Sequence, residues 1–477
     1  KGHDTLLKVM TNTKAGTGCG NCKNKIKALL IAEVGELRAD PAETYYVPGI
    51  PLDRPALSAL IQERNLRSAS QVFAAIPGST DDSKTRMGLD YLLAYIWLSD
   101  YAVEQDARCA NDRYSGNIQN DGRYSVIPNI PGGVATAAQL RAIADVADRY
   151  GAMIKVTGSD RIGLYSVHKK DLRAIWRQLQ MGSGHAFTKS FRACKSCVGS
   201  THCRFGLMDS LALGQRLGTR YRGVMGPAKV KLGVSGCPRN CSEATIKDFG
   251  AVAVEGGWDL YVGGNGGAHV YVAQKIAQVK SDDDVVHVCD RFYEYYRRHA
   301  KYGERSAHFV ERVGLKAVVD AILNAAPQEL QELEARFQQT LDNYRDPWLA
   351  EGELNNETER SAATDAEGFT VLAEESAIPA GTSRLFHVGD TPVAVFHGRD
   401  GRWVAAHGVC PHKSGPLVDS IYGNGRLVCP LHSYSFDIVS GACDNPEIRP
   451  VQIFETTVRD GQLNVRVAPP RQPATKE

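Results

Sequence analysis

The sequence lacks a long hydrophobic run. Its longest apolar stretch lies near Leu89 to Leu98, far short of the roughly 20 residues a bilayer span requires, so it reads as a buried helix. No positively charged segment leads into an apolar one, so no secretory signal is expected in this stretch. Charge of one sign is missing too. The chain has 56 Lys and Arg against 54 Asp and Glu, a net charge of +2. That balance removes the electrostatic case for nucleic acid or an acidic membrane surface as partner. No G-x-G-x-x-G follows a strand, so a dinucleotide site of that kind is not expected on this chain. What remains is 43% hydrophobic and 23% charged over 477 residues, an ordinary globular composition of about three domains, expected in the cytoplasm. The chain opens on Lys1 inside what reads as a domain already under way, so a piece of a longer protein is expected.

Cysteine, by contrast, is abundant: there are twelve. Such a count means disulfides in a secreted protein or metal thiolates in a reducing compartment. Eight of the twelve fall in ligand-like spacing, six in three tight pairs and two each standing close to a histidine, and that spacing favours metal. Residues 1–39 carry Cys19-x2-Cys22 ahead of a helix. Residues 40–111 read as helical connections, with helical apolar spacing over Arg54 to Asn65 and Met87 to Leu98. Residues 112–187 follow a strand–helix–strand–strand–helix order. Thr136 caps a helix with Leu140, Ile143, Ala144 and Ala147 on its apolar face, and Leu172, Ile175, Trp176 and Leu179 line a second. This is an α+β, ferredoxin-like arrangement. Residues 188–345 hold two further cysteine pairs among strands and end in helices. Residues 346–367 are polar and acidic, a linker. Residues 368–468 alternate short strands with turns, a small all-β domain, and 469–477 form a polar tail expected to be disordered.

Three constellations carry chemistry. In the all-β domain, Cys410-Pro-His412 is followed after sixteen residues by Cys429-Pro-Leu-His432. Each half offers a thiolate and an imidazole, so two cysteines suit one iron of a two-iron cluster and two histidines the other; a zinc site is the alternative. Upstream, Cys197 and Cys203 form C-x5-C, and Cys237 and Cys241 form C-x3-C. Were Cys237 to Cys241 helical, with Pro238 in the first turn, both thiols would share a face and the helix N-terminus would favour an anionic cluster. Third, Lys229 and Lys231 sit two apart on a strand and so share a face. Cys289 fits an apolar helix face with Val286, Phe292 and Tyr293, a core position. Gly263 to Gly267 reads as a hairpin turn.

These motifs resemble known families. Residues Gly368 to Val467, with His412-Lys-Ser-Gly-Pro-Leu417 and Cys429-Pro-Leu-His-Ser-Tyr-Ser-Phe-Asp437, look like the Rieske family and the small subunit of assimilatory nitrite reductases. Lys14 to Asp346, with Cys197-Val-Gly-Ser-Thr-His-Cys-Arg-Phe-Gly206 and Val234-Ser-Gly-Cys-Pro-Arg-Asn-Cys241, resembles the siroheme nitrite and sulfite reductase family. The resemblance implies a 4Fe-4S cluster on Cys197, Cys203, Cys237 and Cys241, with Cys241 also ligating the siroheme iron. It implies that Arg161, Lys229 and Lys231 hold the anion, and that Arg204, Arg239, Asn240 and Lys247 meet the siroheme carboxylates. Family members carry Arg where this chain has Asn129; Arg123 is a nearby substitute or a surface residue. Cys19 and Cys22 resemble half of a small ferredoxin-like domain, a further 2Fe-2S site only if completed elsewhere. The expected reaction is six-electron reduction of nitrite to ammonium. Sulfite reduction at the same centre and a non-catalytic electron-transfer module are the alternatives. A flavin and NAD(P)H module or a ferredoxin-type donor is expected on a missing N-terminal part or another chain, and a homo-oligomer supplies the second half of a core seen here in one copy.

Overall fold

Helix α1 (Arg54–Glu63) starts where Asp53 accepts a hydrogen bond from Ala56 N and Pro55 fills the first turn, and α2 (Ser83–Trp97) starts on Asp82 in the same way. Leu57, Ile61, Leu89, Leu92 and Leu93 meet in one apolar cluster. The computed structural model describes residues 3–13, 15, 22–38, 40–348, 359–360 and 364–467. Cys19, most of the expected linker and the expected tail lie outside them. No helix among the described residues is long and apolar enough to cross a membrane.

A four-stranded antiparallel sheet follows, from β1 (Asn117–Ile118), β2 (Tyr124–Val126), β3 (Met153–Thr157) and β4 (Arg161–Val167), in the order β1-β2-β4-β3. Helix α3 (Ala137–Tyr150) begins with a capping box in which Thr136 and Gln139 exchange hydrogen bonds. Its buried stripe is Ile143, Val146 and Ala147. Leu140 and Ala144, expected on that stripe, face solvent. Helix α4 (Leu172–Leu179) buries the four residues expected of it, Leu172, Ile175, Trp176 and Leu179.

The next sheet is mixed. Strands β5 (Phe191–Ser196), β6 (Val230–Ser235) and β7 (Phe249–Val254) run parallel, and β8 (Gly257–Val262) and β9 (Gln274–Val279) return antiparallel. Val230, Leu232 and Val234 point into the core with α5 (Ser210–Arg220), α6 (Asp282–His299) and α7 (Pro327–Asp342). By alternation Lys231, Gly233 and Ser235 point the other way. A Cβ on Gly233 would lie 2.8 Å from Ala244 Cα and 3.0 Å from the Lys247 side chain, and Ser235 Oγ bonds Asn240 and Ser242. The loop from Asn240 to Lys247 therefore lies flat on that outer face.

The C-terminal domain is all β. Strands β10 (Phe369–Glu374), β11 (Thr382–Val388), β12 (Thr391–His397), β13 (Trp403–His407), β17 (Ile453–Arg459) and β18 (Gln462–Arg466) form the main sheet, joined at one edge by Glu359–Arg360. A small sheet of β14 (Ile421–Gly423), β15 (Arg426–Val428) and β16 (Ser435–Asp437) stands beside it. This domain is docked on the ferredoxin-like half through Asp419, only 1% exposed. Its carboxylate accepts from Lys169 Nζ at 2.5 Å, Tyr124 Oη at 3.0 Å and Tyr114 Oη at 3.2 Å, and its carbonyl accepts from Arg113.

Candidate redox and anion site

Cys197 leaves the end of β5 and Cys237 leaves the end of the adjacent parallel strand β6, where Ser196 pairs with Val234. Parallel pairing thus delivers both cysteine loops to one edge of the sheet. The loops interlock. Gly236 N donates to Cys197 Sγ at 3.1 Å, and Leu207 N donates to Gly236 O at 2.7 Å. Burial pushes the Cys197 thiol up, but hydrogen bonds from Ser210, Gly236 and Gly199 outweigh it and hold the thiol below its ordinary value. That is the environment of a thiolate ligand. Cys237 is buried, Cys203 is half-buried and Cys241 is exposed. The helix expected over Cys237 to Cys241 is absent. Asn240 N closes a turn on Cys237 O, and Asn240 and Glu243 adopt left-handed backbone, with φ of 53° and 59°. Pro238 removes a donor without starting a helix.

Cations extend along the outer face toward this loop. Lys231 Nζ donates to Ser159 Oγ at 3.0 Å, and Arg161 donates to Arg192 O at 3.2 Å. Arg192 grips Thr188 O through Nε and Nη2, at 2.9 and 2.7 Å. Lys229, Lys231, Arg161 and Arg192 lie close enough to disfavour one another's charge. Burial first, then Arg161 and Lys229, push Lys231 down to about 8. Burial first, then Arg161, push Arg192 down to about 10. Burial, then Arg305 and Arg192, lower Lys229, and burial lowers Arg161. Nearby carboxylates offset only part of this charge: Asp112 and Asp248 act on Arg192 and Asp248 on Lys229, and Asp248, fully buried, accepts from Lys231 N at 2.8 Å, Arg305 at 3.0 Å and Ser306 Oγ at 2.5 Å. Arg161 Nε is buried with no partner. Such a cluster is costly without an anion.

Of the other expected residues, Arg204 and Arg239 both lie over Phe205, at 4.6 and 4.0 Å from its centre. Lys247 pairs with Glu243 at 2.9 Å. Asn240 is engaged in its own loop, accepting from Ala244 N and donating to Thr245 Oγ1. Asn129 N bonds Gly182 O, and Arg123 makes a surface pair with Asp121 at 2.7 Å. Cys22 is exposed ahead of its helix, and Cys289 is buried in the core. Gly263 to Gly267 opens a short hairpin, Asn265–Gly266 pairing with Val270–Tyr271. Sequence reasoning missed Arg192 and Asp248. Neither stands in a cysteine motif; only the register, Ala193 opposite Lys231, brings Arg192 beside the lysines.

In the all-β domain two loops mirror each other. Cys410 N bonds Gly415 O and Ser414 N bonds Cys410 O; Cys429 N bonds Tyr434 O and Ser433 N bonds Cys429 O. Ser414 and Ser433 are both left-handed, with φ of 53° and 58°. The His412 and His432 rings are 4.8 Å apart. Cys429 donates a hydrogen bond to Cys410, which pulls the Cys410 thiol down to about 6 and, together with burial, drives Cys429 up. His412 Nδ1 is buried without a partner, as suits a metal ligand. No group of three or more His, Cys, Asp and Glu side chains among the described residues is gathered as for a single ion; a two-iron cluster instead spreads thiolates and imidazoles over two irons.

Residues 187–330 match the nitrite and sulphite reductase 4Fe-4S domain, 117–182 the nitrite/sulfite reductase ferredoxin-like half domain and 368–455 the Rieske [2Fe-2S] domain. The chain is 40% identical to an NAD(P)H nitrite reductase of Bacillus subtilis, over 73% of this chain and 44% of that protein. It is 31% identical to that of Emericella nidulans, over 98% of this chain and 48% of that protein. It is 35% identical to an assimilatory-type sulfite reductase of Nitratidesulfovibrio vulgaris, over 42% of this chain and 92% of that protein. The chain thus spans about half the length of the two nitrite reductases it matches.

Proposed function

The chain belongs to the nitrite and sulphite reductase family and ends in a Rieske domain, and from that premise we propose that it is the catalytic part of an assimilatory nitrite reductase. The reaction takes nitrite, six electrons and eight protons to ammonium and two waters. The observation that carries this reading is the run of cations on the outer face of β6, in line with the loop that presents Cys241. An electron relay has no use for an anion pocket.

In this reading Cys197, Cys203, Cys237 and Cys241 hold a 4Fe-4S cluster, and Cys410, His412, Cys429 and His432 hold the Rieske cluster. Cys241 would hold siroheme beside that cluster, and the pair would supply the stored electrons and the metal chemistry of the reduction. Arg204, Arg239 and Lys247 meet the siroheme carboxylates. Arg161, Arg192 and Lys229 fix nitrite as hydrogen-bond donors. Lys231, pushed down to about 8, holds its proton at Nζ near neutrality and can release it to a departing oxygen. Asp248 anchors the Lys231 backbone and offsets part of the charge.

The electron donor is a flavin and NAD(P)H module or a ferredoxin-type protein on other sequence, the assembly is a homo-oligomer and the compartment is the cytoplasm. The test is a visible spectrum of the purified holoprotein, then turnover with reduced viologen and either nitrite or sulfite. Siroheme bands with ammonium formation faster than sulfide formation are expected. Iron–sulfur absorption alone would leave a relay protein, and sulfide formation outpacing ammonium would make sulfite the substrate.

A further inference from the structure

Among the described residues, no carboxylate stands within ion-pair distance of Lys231 Nζ, and its one hydrogen bond is to Ser159 Oγ, at 3.0 Å. Four cations face it: Arg161 on β4, Arg192 on β5, Lys229 on its own strand and Lys247 on the adjoining loop. The Asp248 carboxylate accepts from its backbone N, not from Nζ. Ser159 belongs to the turn between β3 and β4, so its bond to Lys231 crosses from the ferredoxin-like half domain to the 4Fe-4S domain. That turn is fixed at several points. Asp160 adopts left-handed backbone, with φ of 53°, and its Oδ2 accepts from Ser196 N at 3.3 Å. Such backbone persists where its surroundings hold it, and Gly133 lies against it, where a Cβ would stand 2.7 Å from Asp160 Cβ. Thr157 pairs with Arg161, and Arg161 donates to Arg192 O at 3.2 Å. The backbone thus sets where the Ser159 hydroxyl stands.

The chemistry of this partner matters. A carboxylate beside Lys231 would hold its proton and repel an anion. A hydroxyl adds no charge. It takes one of the three N–H donors of the charged amine and leaves two for an anion and for the proton to be released. A lysine stem is flexible, and a fixed acceptor limits where Nζ sits. We infer that Ser159 is a positioning residue that holds Lys231 Nζ where its proton reaches the departing oxygen. This inference rests on the proposed nitrite reduction and deepens it: proton delivery, not anion affinity, depends on a hydroxyl from the ferredoxin-like half.

The test compares the wild-type holoprotein with Ser159→Ala and Ser159→Thr. Ser159→Ala should lower kcat for nitrite about tenfold, within the roughly 100-fold that a misplaced group can cost, with KM changed less than about twofold. Ser159→Thr, which keeps the hydroxyl, should restore kcat. A neutral acceptor favours the charged amine, so its loss should move the alkaline fall of kcat/KM to lower pH. The second readout needs no turnover: competitive acetylation of Lys231 across pH, read by mass spectrometry. Its midpoint, expected at about 8 in the wild type, should drop in Ser159→Ala and return in Ser159→Thr. Wild-type kcat and an unmoved midpoint in Ser159→Ala would overturn the inference, and so would a raised KM with kcat unchanged, which would make Ser159 part of anion binding. A wild-type protein that forms no ammonium overturns the proposed function instead, and the acetylation midpoint then decides by itself whether Ser159 holds Lys231.

Discussion

At the scale of single residues, Lys231 has the most to reveal. Its amine is pushed down to about 8 by burial and by Arg161 and Lys229. Below that value it is charged and can attract an anion and give up a proton; above it, it can do neither. The kcat/KM for nitrite is therefore expected to be level below pH 8 and to fall above it. Lys231→Arg keeps a charge that does not titrate in this range, so it should move the alkaline fall to higher pH, which pH–rate profiles would show. Lys231→Met should lower kcat by about 10²-fold or more, the usual weight of a positioned proton donor, with the visible spectrum unchanged. Arg192 makes a different prediction. Lowered only to about 10, it stays charged at neutral pH, so the role proposed for it is to hold the anion. Arg192→Gln should raise KM for nitrite by tenfold or more, since a hydrogen bond to a charged group is worth roughly 1.5–3 kcal/mol, with a smaller effect on kcat.

At the scale of elements, two glycines tie each cluster to its loop. Gly233 in β6 lets the Asn240 to Lys247 loop lie on the strand, because a Cβ there would come within 2.8 Å of Ala244 Cα. Gly233→Val should lift that loop, misplace Cys241 and lose the four-iron cluster while the Rieske signal survives. Gly415 sits under the other site, where a Cβ would stand 2.9 Å from Cys429 Sγ and 3.0 Å from Leu431 Cδ1. Gly415→Ala should do the reverse. Iron analysis with electron paramagnetic resonance on both variants checks the pair, and loss of both signals in either variant would break the argument.

Elements with strong local signals were legible in the sequence: the capped helices α1, α2 and α3, the buried face of α4 and the β-domain hairpins. The edge strands β5 and β9 were not. Each carries a register shift, between Phe191 and Ala193 and between Lys275 and Ala277, and a bulge breaks the two-residue period by which strands are read. A spacing of four between Cys237 and Cys241 fits a helix and a turn alike; left-handed Asn240 and Glu243 decide for a turn, and no motif announces them. The cysteine and histidine sets were legible because ligand chemistry fixes both residue type and spacing. Arg192 was not, because it joins the lysines only through strand pairing.

At the scale of the whole molecule, the Rieske domain is held by a buried charge whose partners all come from residues 113–169. Burial pushes Asp419 up, but Lys169 and Arg113 outweigh it and hold it below its ordinary 3.8. A depressed carboxyl contributes stability that is present above its unfolded value and is lost as pH falls through its folded value. Burial pushes Lys169 down, but Asp419 and Tyr114 outweigh it and raise it above 10.5, so its contribution is present below that value and is lost as pH climbs through the folded one. The docking strength is thus expected to be level from about pH 4 to about pH 10 and to fail outside that window. Removing one partner of such a pair strands the other charge and costs about 3–5 kcal/mol. Asp419→Asn should therefore split the calorimetric transition, with the Rieske domain melting apart from the rest. Lys169→Met added to Asp419→Asn should recover part of the loss, since the stranded charge is then gone. A single unsplit transition in Asp419→Asn would mean that the remaining contacts, among them Arg399 on Asp106 at 3.1 Å, hold the domain without this pair.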